Sequence, residues 1–346
     1  MINQIKISNN TIYNKMLYKF LLVSLLFKFI NTFEINNDSW MKFSLFQKRF
    51  NKFYTTLDEL EKRFSIFKTN LKLIMEHNLI PNQNFTMGIN QFTDLTPEEF
   101  KTIYASGYKP LQSYGCVSYS NHESDLPKLL DWVSTGVVNP VRDQGQCGSC
   151  WAFATTANAE SVWAISTGEL FDLSEQYLVD CATGLGYFNM GCNGGQPDSA
   201  LKYMINKGQC SESAYPYSAK QGTCHSCSQP TDVEFSSCYD VKPNDQLALK
   251  SALFNNPVVV AIEADTKYFQ SYSSGILTDS IKCGTNLDHA VEIVGYGTEN
   301  GINYWKVRNS WSSSWGEDGY VKIQRSDSTN DPGVCGIAME PSFISI

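Results

Sequence analysis

QGQCGSCWAF, residues 144–153, carries more information about the architecture than any other part of the chain. A turn that contains Gly and Ser leads into good helix formers, which predicts a helix that begins at Cys150. Unpaired backbone N–H groups and the helix dipole at such an end stabilise a thiolate and lower the pKa of a thiol. A thiolate beside an imidazolium is a strong nucleophile for acyl transfer, so Cys150 is the candidate nucleophile.

The spacing of Cys147 and Cys150 also fits a CxxC redox pair or one corner of a metal site. The flanking residues are unlike those of thioredoxin, and no second ligand pair with zinc-finger spacing follows. We therefore expect neither a metal nor a cofactor at this turn.

The candidate base is one of four histidines. His77 lies on a predicted helix far upstream, His122 lies in a polar linker, and His225 lies in a Ser-rich loop. His289 directly precedes an apolar run that begins at Ala290, so its ring can project from a strand end into a cleft. We expect His289 to act as the base for Cys150.

Two further polar side chains complete the predicted site. The carbonyl of Asn309 can accept the imidazole N–H and fix the ring, and the adjacent Trp311 would shield that bond from water. The side-chain amide of Gln144 can point toward a developing oxyanion, beside the backbone N–H of Cys150.

Length and charge restrict the class of protein. The chain has 346 residues and a formal net charge of −8, without a basic block. The length suits two packed domains plus an appendage. Nucleic-acid binding needs clustered Lys and Arg on phosphates, so that class is excluded.

The N-terminus and the cysteines indicate the secretory pathway. Phe20–Ile30 is a short apolar run after several lysines, which predicts a signal peptide over residues 1–32, with Met16 as an alternative start. An uncleaved anchor is the alternative, although Lys28 interrupts the run. Eleven cysteines, ten of them after residue 140, predict disulfides, and an odd number leaves one thiol unpaired.

The region before the cysteine-rich part is predicted to be helical. Apolar residues recur at helical spacing over Leu57–Asn78 and, in aromatic form, over residues 40–53. A short strand and turn follow over Met87–Asp94. Thr96, with Pro97 and Glu99 after it, has the pattern of a capping box that opens another helix.

Residues 106–125 show neither the helical nor the strand period and are rich in Gly, Ser and Tyr. This composition predicts an exposed linker that proteases cut. Beyond it, a helical pattern starts at Cys150, and β-like runs follow at 258–262, 290–296, 304–308 and 319–323. This order predicts an α+β arrangement.

These residues resemble the papain/cathepsin L family of cysteine proteases, for which CGSCW is a known signature. The motifs that carry the resemblance in the C-terminal part are Asp131–Trp132, Ser174–Glu175–Gln176, Asp180–Cys181, Gly191–Gly195, Tyr215–Pro216–Tyr217 and Val334–Cys335–Gly336. The upstream region matches the family's inhibitory propeptide at Glu59, Arg63, Ile66, Phe67, Asn70, Ile74, Asn78, Gly88, Asn90, Phe92 and Asp94. The resemblance covers residues 40–346.

The resemblance implies a papain-like fold with a helical left domain, an antiparallel β-barrel-like right domain and a cleft between them, preceded by an α-helical propeptide. The implied boundaries are 1–32 for the signal peptide, 33–125 for the propeptide and linker, and 126–346 for the peptidase, whose halves are 126–235 and 236–346. The implied activity is that of a cysteine endopeptidase that works through a thioester acyl-enzyme. It is made as a zymogen whose propeptide crosses the cleft in a non-cleavable direction until acid releases it.

Two alternatives stay open at this point. An exopeptidase of the same family would block one end of the cleft, and Cys116 could tether a propeptide remnant for that purpose. A catalytically silent relative would bind other proteins, although the complete set of site residues argues against it.

The resemblance also implies three disulfides, Cys147–Cys192, Cys181–Cys224 and Cys283–Cys335, which leave Cys150 free. Cys116, Cys210, Cys227 and Cys238 remain unassigned. We expect a Cys210–Cys238 bridge and a free thiol among the others. A zinc site built from Cys224, His225, Cys227 and Cys238 is disfavoured because Cys224 is needed elsewhere.

Substrate contacts are implied by the same resemblance. They fall on Gly194, Gly195, Gln196, Pro197, Ala261, Leu287, Asp288, Ala290, Trp311 and Glu340. The pocket for the P2 side chain is mostly small and apolar, which favours Leu, Phe or Val. Glu340 is expected either to accept Arg at P2 when ionised or to point to solvent.

Ser312, Ser313 and Ser314 depart from the family, which usually has glycines in this loop. If these positions need a positive φ, Ser there is unfavourable.

Partners and location follow from the same interpretation. We expect protein and peptide substrates, inhibition by the chain's own propeptide and by cystatin-like proteins, and a monomer after maturation. We expect a lysosome, an acidic vacuole or secretion as the location. The glycan acceptor motifs at Asn37 and Asn84 lie in the part expected to be removed.

Overall fold

The computed structural model describes most of the chain after residue 37. The described residues are 38–110, 116–120, 123, 125–184, 186–228, 231–278 and 283–346. The predicted signal peptide and its alternative, the anchor, lie outside them. Within these ranges no helix is both long enough and apolar enough to cross a membrane. The chain divides into two compact units, with the boundary between Lys72 and Leu73.

The first unit has an aromatic core. Residues 38–49 form helix α1, and helix α2 covers Leu57–Asn78, the range that the periodicity predicts. The buried ring of Phe67 lies 5.2 Å from that of Phe43 and 5.0 Å from that of Phe46. This packing explains why aromatic residues recur at helical spacing in both segments.

Helix α3 (Pro97–Tyr104), in the second unit, opens at its predicted cap. The Thr96 hydroxyl accepts a hydrogen bond from Glu99 N at 3.1 Å, and the Glu99 carboxylate accepts one from Thr96 N at 3.1 Å, so the capping box is present. The other helices of this unit are α4 (Cys150–Thr167), α5 (Glu175–Cys181), α6 (Pro197–Lys207), α7 (Gln246–Asn255) and α8 (Lys267–Gln270).

The strands of the second unit form one sheet in the order β1-β6-β9-β8-β7-β5-β10-β4-β2, with β3 paired to β7. Strand β7 lies at its centre and pairs antiparallel with β5 and β8. The strands are β1 (Phe85–Met87), β2 (Val117–Ser118), β3 (Leu130–Asp131), β4 (Ser237–Asp240), β5 (Val258–Ile262), β6 (Tyr272–Leu277), β7 (His289–Glu299), β8 (Ile302–Arg308), β9 (Tyr320–Gln324) and β10 (Ser342–Ser345). The predicted α+β class is confirmed.

Helix α4 connects the helical part of this unit to the sheet. It is buried along most of its length and packs against β7, β5 and β10. Asn158 in its middle donates to Pro257 O at 2.7 Å and accepts from Ile344 N at 2.9 Å. These buried hydrogen bonds fix the axial position of the helix, and with it the position of its first residue, Cys150.

The linker predicted to be exposed over residues 106–125 is exposed at about half of its described positions, and the prediction is wrong for Tyr108 and Cys116, which are buried. Val117–Ser118 forms strand β2, which stays exposed and pairs in parallel with β4. A disulfide buries Cys116 and an apolar cluster around Cys150 buries Tyr108, and neither contact requires an apolar period in the sequence.

The loop after Asn309 has the strained residue that the departure from the family predicts. Ser312 has a φ of 66°, in the left-handed region that favours glycine. Its backbone N donates to Arg142 O at 2.9 Å, so the loop cannot relax freely.

We expect Ser312→Gly to stabilise the protein by about 1 kcal/mol, because glycine removes the left-handed strain while the loop keeps its backbone hydrogen bond. Urea unfolding of the full precursor measures this change. Ser313→Gly is the matched control and should destabilise slightly or change nothing, because Ser313 does not have a positive φ. Equal effects of the two substitutions would contradict the account.

Candidate active site

Cys150 is the first residue of α4 and its side chain is fully buried. The turn before it is held by the Cys147–Cys192 disulfide and by a hydrogen bond of 2.9 Å from Gly148 N to Cys192 O. A Cβ on Gly148 would lie 2.6 Å from that oxygen, so the turn requires glycine. Cys150 is the one free cysteine among the described residues.

His289 begins β7 and is also fully buried. Its Nε2 lies 2.8 Å from Asn309 Oδ1, and its ring stacks on Trp311 with 4.5 Å between the ring centroids. Trp311 is itself buried and keeps water from the hydrogen bond. Nδ1 has no hydrogen-bond partner within the described ranges, so this nitrogen is available to exchange a proton.

Gln144 lies beside the turn that leads to Cys150. Its Nε2 donates to Cys147 O at 3.0 Å, and its Oε1 accepts from the Ser310 hydroxyl at 2.7 Å. Its backbone N donates to Ser310 O at 2.9 Å, next to Asn309. The structure therefore brings Gln144, Asn309 and the Cys150 turn together, and one N–H of the amide is already engaged.

Residues 105–109, which we call the cover segment, lie directly over Cys150. A Cβ on Gly107 would be 2.8 Å from Cys150 Sγ and 2.8 Å from Gly148 O. The backbone of Gly107 thus contacts the sulfur, and no larger residue fits without a shift.

The cover segment is held by backbone hydrogen bonds from both sides of the site. Lys109 N donates to Gly195 O at 3.0 Å and Gly195 N donates to Gly107 O at 2.9 Å, while Tyr108 N donates to Asp288 O at 3.0 Å. The bridge between Tyr108 and Gly195 is parallel. These bonds use main-chain groups, so composition alone could not reveal them.

Burial under the cover segment shifts the pKa values of Cys150 and His289. Desolvation raises the pKa of Cys150 to about 12, with a smaller opposing effect from a backbone hydrogen bond at Ala290. Desolvation lowers the pKa of His289 to about 4, against its hydrogen bond with Asn309. In this covered form the exclusion of water disfavours the charged form of both groups and so opposes the thiolate expected at the helix N-terminus.

The ring of Tyr108 fills a small apolar pocket beside Cys150. The pocket residues are Ala154, Val259, Ala261, Ala290 and, partly buried, Leu287. The Tyr108 hydroxyl donates to the Glu340 carboxylate at the far end. Three residues predicted for the P2 pocket, Ala261, Leu287 and Ala290, thus pack in one apolar cluster with Tyr108, whose hydroxyl reaches Glu340.

The other predicted contact residues have separate positions. A Cβ on Gly194 would lie 3.0 Å from Gly107 O, so this glycine also touches the cover segment. Gln196 lies with Glu340 on a neighbouring cavity of about 290 Å³, and Pro197 begins α6. The side-chain carboxylate of Asp288 accepts a hydrogen bond from Ala264 N at 2.8 Å. Its backbone carbonyl is the group that accepts from Tyr108 N.

The residues matched to the second propeptide motif also have specific contacts. Gly88 N donates to Ser271 O at 2.9 Å, and Asn90 Nδ2 donates to Gln270 O at 2.7 Å. The ring of Phe92 meets that of Trp311 edge-on at 5.5 Å. This part of the chain therefore packs on the same tryptophan that covers the His289–Asn309 bond.

The helical propeptide motif mainly stabilises its own helix. Arg63 donates to Glu59 at 2.6 Å one turn away, Phe67 and Ile74 are buried, and the side chain of Asn78 bonds the backbone of Met87.

Disulfides join ten of the cysteines. The three bridges implied by the resemblance, Cys147–Cys192, Cys181–Cys224 and Cys283–Cys335, are present. The expected Cys210–Cys238 bridge is wrong, and so is the extra free thiol: Cys210 pairs with Cys227, and Cys238 pairs with Cys116. Strand β2 carries Cys116 to Cys238, a long-range pairing that spacing could not indicate. The zinc alternative is excluded because its three cysteines are all in disulfides.

The comparisons with known proteins agree with this geometry. A family model for "Papain family cysteine protease" matches residues 126–345, and one for "Cathepsin propeptide inhibitor domain (I29)" matches residues 43–100. The chain is 43% identical over 306 residues to the "Probable cysteine protease RD21C" of Arabidopsis thaliana, which covers 84% of this chain and 65% of the relative. It is 44% identical over 298 residues to the "Cysteine endopeptidase RepA" of Oryza sativa subsp. japonica, covering 82% and 78%.

Solved precursors have the same fold. The structure matches a recombinant stem bromelain precursor with a TM-score of 0.80 and 36% identity, covering 89% of this chain and 99% of the other. It matches digestive procathepsin L 3 of the Tenebrio molitor larval midgut with a TM-score of 0.81 and 38% identity, again covering 89% and 99%. This chain belongs to the papain family of cysteine proteases. It is a cysteine endopeptidase synthesised as a zymogen with an inhibitory propeptide.

We expect Gly107→Ala to weaken inhibition by the propeptide about tenfold or more, because the added methyl overlaps Cys150 Sγ and the Gly148 carbonyl. The measurement is the rate at which a thiol-directed epoxide labels Cys150 in the intact zymogen at neutral pH.

Ser106→Ala is the control for that measurement, because the Ser106 hydroxyl donates to Thr102 O, within the propeptide and away from Cys150. Labelling that is equally slow in Gly107→Ala, Ser106→Ala and the parent zymogen would show that the contact over Cys150 does not limit access.

Proposed function

We propose that Cys150 is the nucleophile, His289 its base, Asn309 the residue that orients the ring, and Gln144 an oxyanion donor. The observation that carries this assignment is the free Cys150 thiol at a helix N-terminus together with a buried imidazole bonded to Asn309 at 2.8 Å. Helix end, base and orienting carbonyl are the parts that thiol-based acyl transfer requires.

The reaction then follows the chemistry of these groups. His289 takes the proton of Cys150, and the thiolate sulfur attacks the scissile carbonyl carbon to give a tetrahedral oxyanion, stabilised by the Gln144 amide and the Cys150 backbone N–H. The intermediate collapses to a thioester as His289 protonates the leaving amine. Water, deprotonated by His289, hydrolyses the thioester and restores the thiol.

The covered form is inactive for two reasons. The cover segment occupies the hydrogen-bonding groups of Gly195 and Asp288, and it keeps the thiol and imidazole neutral by excluding water. Its parallel bridge with Gly195 supports passage through the cleft opposite to a cleavable substrate. Release returns water to the site and lets the dipole of α4 favour the thiolate.

Release in an acidic compartment is part of the proposal. Lys101 in the propeptide forms an ion pair of 2.5 Å with Asp265. The Lys101 side chain is largely exposed, so this pair by itself contributes little to holding the propeptide. Ten cysteines in disulfides support an oxidising secretory route, ending in an acidic vacuole or lysosome or outside the cell.

We further propose the domain division 33–125 for the propeptide and linker and 126–346 for the peptidase, with halves near 126–235 and 236–346. The matches to residues 43–100 and 126–345 support it. Cystatin-like inhibitors and a monomeric mature enzyme are proposed from the resemblance alone.

The test of the catalytic assignment is covalent labelling after acid activation. We expect a thiol-directed epoxide to modify Cys150 in the mature chain, with none in Cys150→Ser. Asn309→Ala should lower kcat/KM about 100-fold because the ring loses its orientation. A mature chain that stays unlabelled and cleaves no peptide blocked at both ends would favour the protein-binding alternative.

The pocket that holds Tyr108 supports a P2 preference for large hydrophobic side chains, and Glu340 supports a second preference for Arg. In the covered form, where the Tyr108 hydroxyl bonds it, burial raises the pKa of Glu340. The carboxyl is charged above its pKa and neutral below it, so in the mature enzyme cleavage of substrates with Arg at P2 should weaken as pH falls through that pKa.

We expect Glu340→Gln to lower kcat/KM for P2 Arg about tenfold and to remove that pH dependence, while P2 Leu changes by less than about twofold. Paired fluorogenic substrates with Arg or Leu at P2, measured from pH 4 to 7, provide the test. An Arg-to-Leu ratio that is independent of pH and equal in both proteins would contradict this role for Glu340.

A further inference from the structure

A disulfide fastens the chain just before the peptidase to the peptidase itself. Cys116 lies before the family match that begins at residue 126, and it is bonded to Cys238 in strand β4. The chain therefore has a covalent link between a region expected to be discarded and the domain that remains.

The residues after Cys116 are built into the sheet. We call residues 116–119 the tether strand. Val117 and Ser118 pair with Tyr239 and Asp240 of β4, and Tyr119 N donates to Asp240 O at 2.8 Å. The ring of Tyr119 meets that of Phe343 edge-on at 5.2 Å.

The disulfide is shielded from solvent. Cys116 is 8% exposed and Cys238 is 4% exposed, and both belong to the apolar core that includes Trp151 of α4 and Ile344 of β10. Because thiol–disulfide exchange requires access of a thiolate to one sulfur, this bond should resist the reductants that keep Cys150 reduced.

The Cys116 end of the tether strand lies against two carboxylates of an acidic cavity next to the proposed P2 pocket. The cavity, about 290 Å³, is lined by Asp198, Asp240 and Glu340, among others. Cys116 Sγ and carboxylate oxygens of Asp198 and Asp240 all lie within 4.8 Å of one another. The sulfur thus lies beside these carboxylates.

A second feature of the cavity indicates a ligand that donates hydrogen bonds. Gln196, which lines it and is 3% exposed, has an Oε1 without a partner among the described residues. Together with the carboxylates it presents acceptors, the arrangement that matches the several N–H groups of a guanidinium.

Activation does not separate the tether strand from the enzyme. A cut between Lys109 and Cys116 releases the cover segment and leaves the tether strand continuous with the peptidase. A cut between Tyr119 and Leu126 leaves it attached through the disulfide. In both cases the strand stays at a high effective concentration beside β4, and its backbone pairing is retained.

We propose that the tether strand is a permanent part of the active protease, held by Cys116–Cys238, where Cys116 lies against the Asp198 and Asp240 carboxylates of the acidic cavity and strengthens the selection of Arg at P2. This inference rests on the proposed role of Cys150 and on the proposed P2 pocket. Without the strand, water would reach these carboxylates from that side and weaken their attraction for a guanidinium.

The first experiment locates the strand in the mature enzyme. The zymogen is activated in acid without added thiol, labelled at Cys150 with the epoxide, and digested for mass spectrometry without reduction. We expect a cross-linked peptide that joins Cys116 to Cys238 in the labelled molecules. Labelled enzyme that lacks residues 116–119 would overturn the proposal while leaving the catalytic assignment intact.

The second experiment tests the effect on specificity. The Cys116→Ser/Cys238→Ser double variant should lose the strand after a cut between Tyr119 and Leu126, and directed cleavage at an inserted protease site there ensures this cut. We expect the kcat/KM ratio of P2 Arg to P2 Leu to fall about fivefold, with P2 Leu little changed. The control, Cys210→Ser/Cys227→Ser with the same inserted site, removes another disulfide and should keep the parent ratio.

An unchanged ratio in the double variant, after loss of the strand is verified by mass, would overturn the role in specificity.

If the double variant fails to fold, the parent enzyme with the inserted site is compared before and after reduction with a dithiol and gel filtration. The expected result is the same fall in the ratio on release of the strand. Loss of epoxide labelling in the parent enzyme would instead indicate failure of the catalytic assignment.

Discussion

Helix α4 packs against strand β7, and the geometry of the site depends on this buried contact. The helix presents Cys150 at its first residue, and the strand presents His289 at its own first residue. Since Asn158 is bonded to the backbone of Pro257, just before β5, and of Ile344 in β10, α4 cannot slide along the sheet without losing buried hydrogen bonds. The adjacent strand β8 ends next to Asn309, whose carbonyl sets the imidazole. The reactive atoms are therefore positioned by regular structure, and loops supply only the turn before Cys150 and the shield of Trp311.

The cover segment of the propeptide is held over the active site by main-chain hydrogen bonds. Gly195 and Asp288 bond the cover segment through backbone atoms, and Gly107 approaches the sulfur because it has no side chain. Backbone pairing tolerates many sequences, and specificity comes from one side chain, Tyr108, in its apolar pocket. The same contacts exclude water, which raises the pKa of Cys150 and lowers that of His289. The cover segment thus both blocks access to Cys150 and disfavours the charged forms of the two groups.

The accuracy of the sequence predictions follows the kind of interaction involved. The helix over Leu57–Asn78 was predictable in full because its apolar residues repeat at the period of the helix. Cys150 and His289 were predictable because their chemistry is scarce in this chain. The region 106–125 was not, because Tyr108 and Cys116 are buried by single contacts without a period. The pairing of Cys116 with Cys238 failed for the same reason, since a disulfide depends on distance in space.

The sequence by itself determined the helices and strands with a clear period, the family resemblance and the identity of the reactive groups, because these depend on local periodicity and on residue chemistry. Only the tertiary structure decided the pKa shifts of Cys150 and His289, the position of Tyr108 in the proposed P2 pocket and the attachment of the tether strand. A pKa depends on how much water surrounds a group, and backbone pairing depends on which chain lies alongside. Both are set by residues far apart in sequence, as Gly107 is from Cys150 and Cys116 from Cys238.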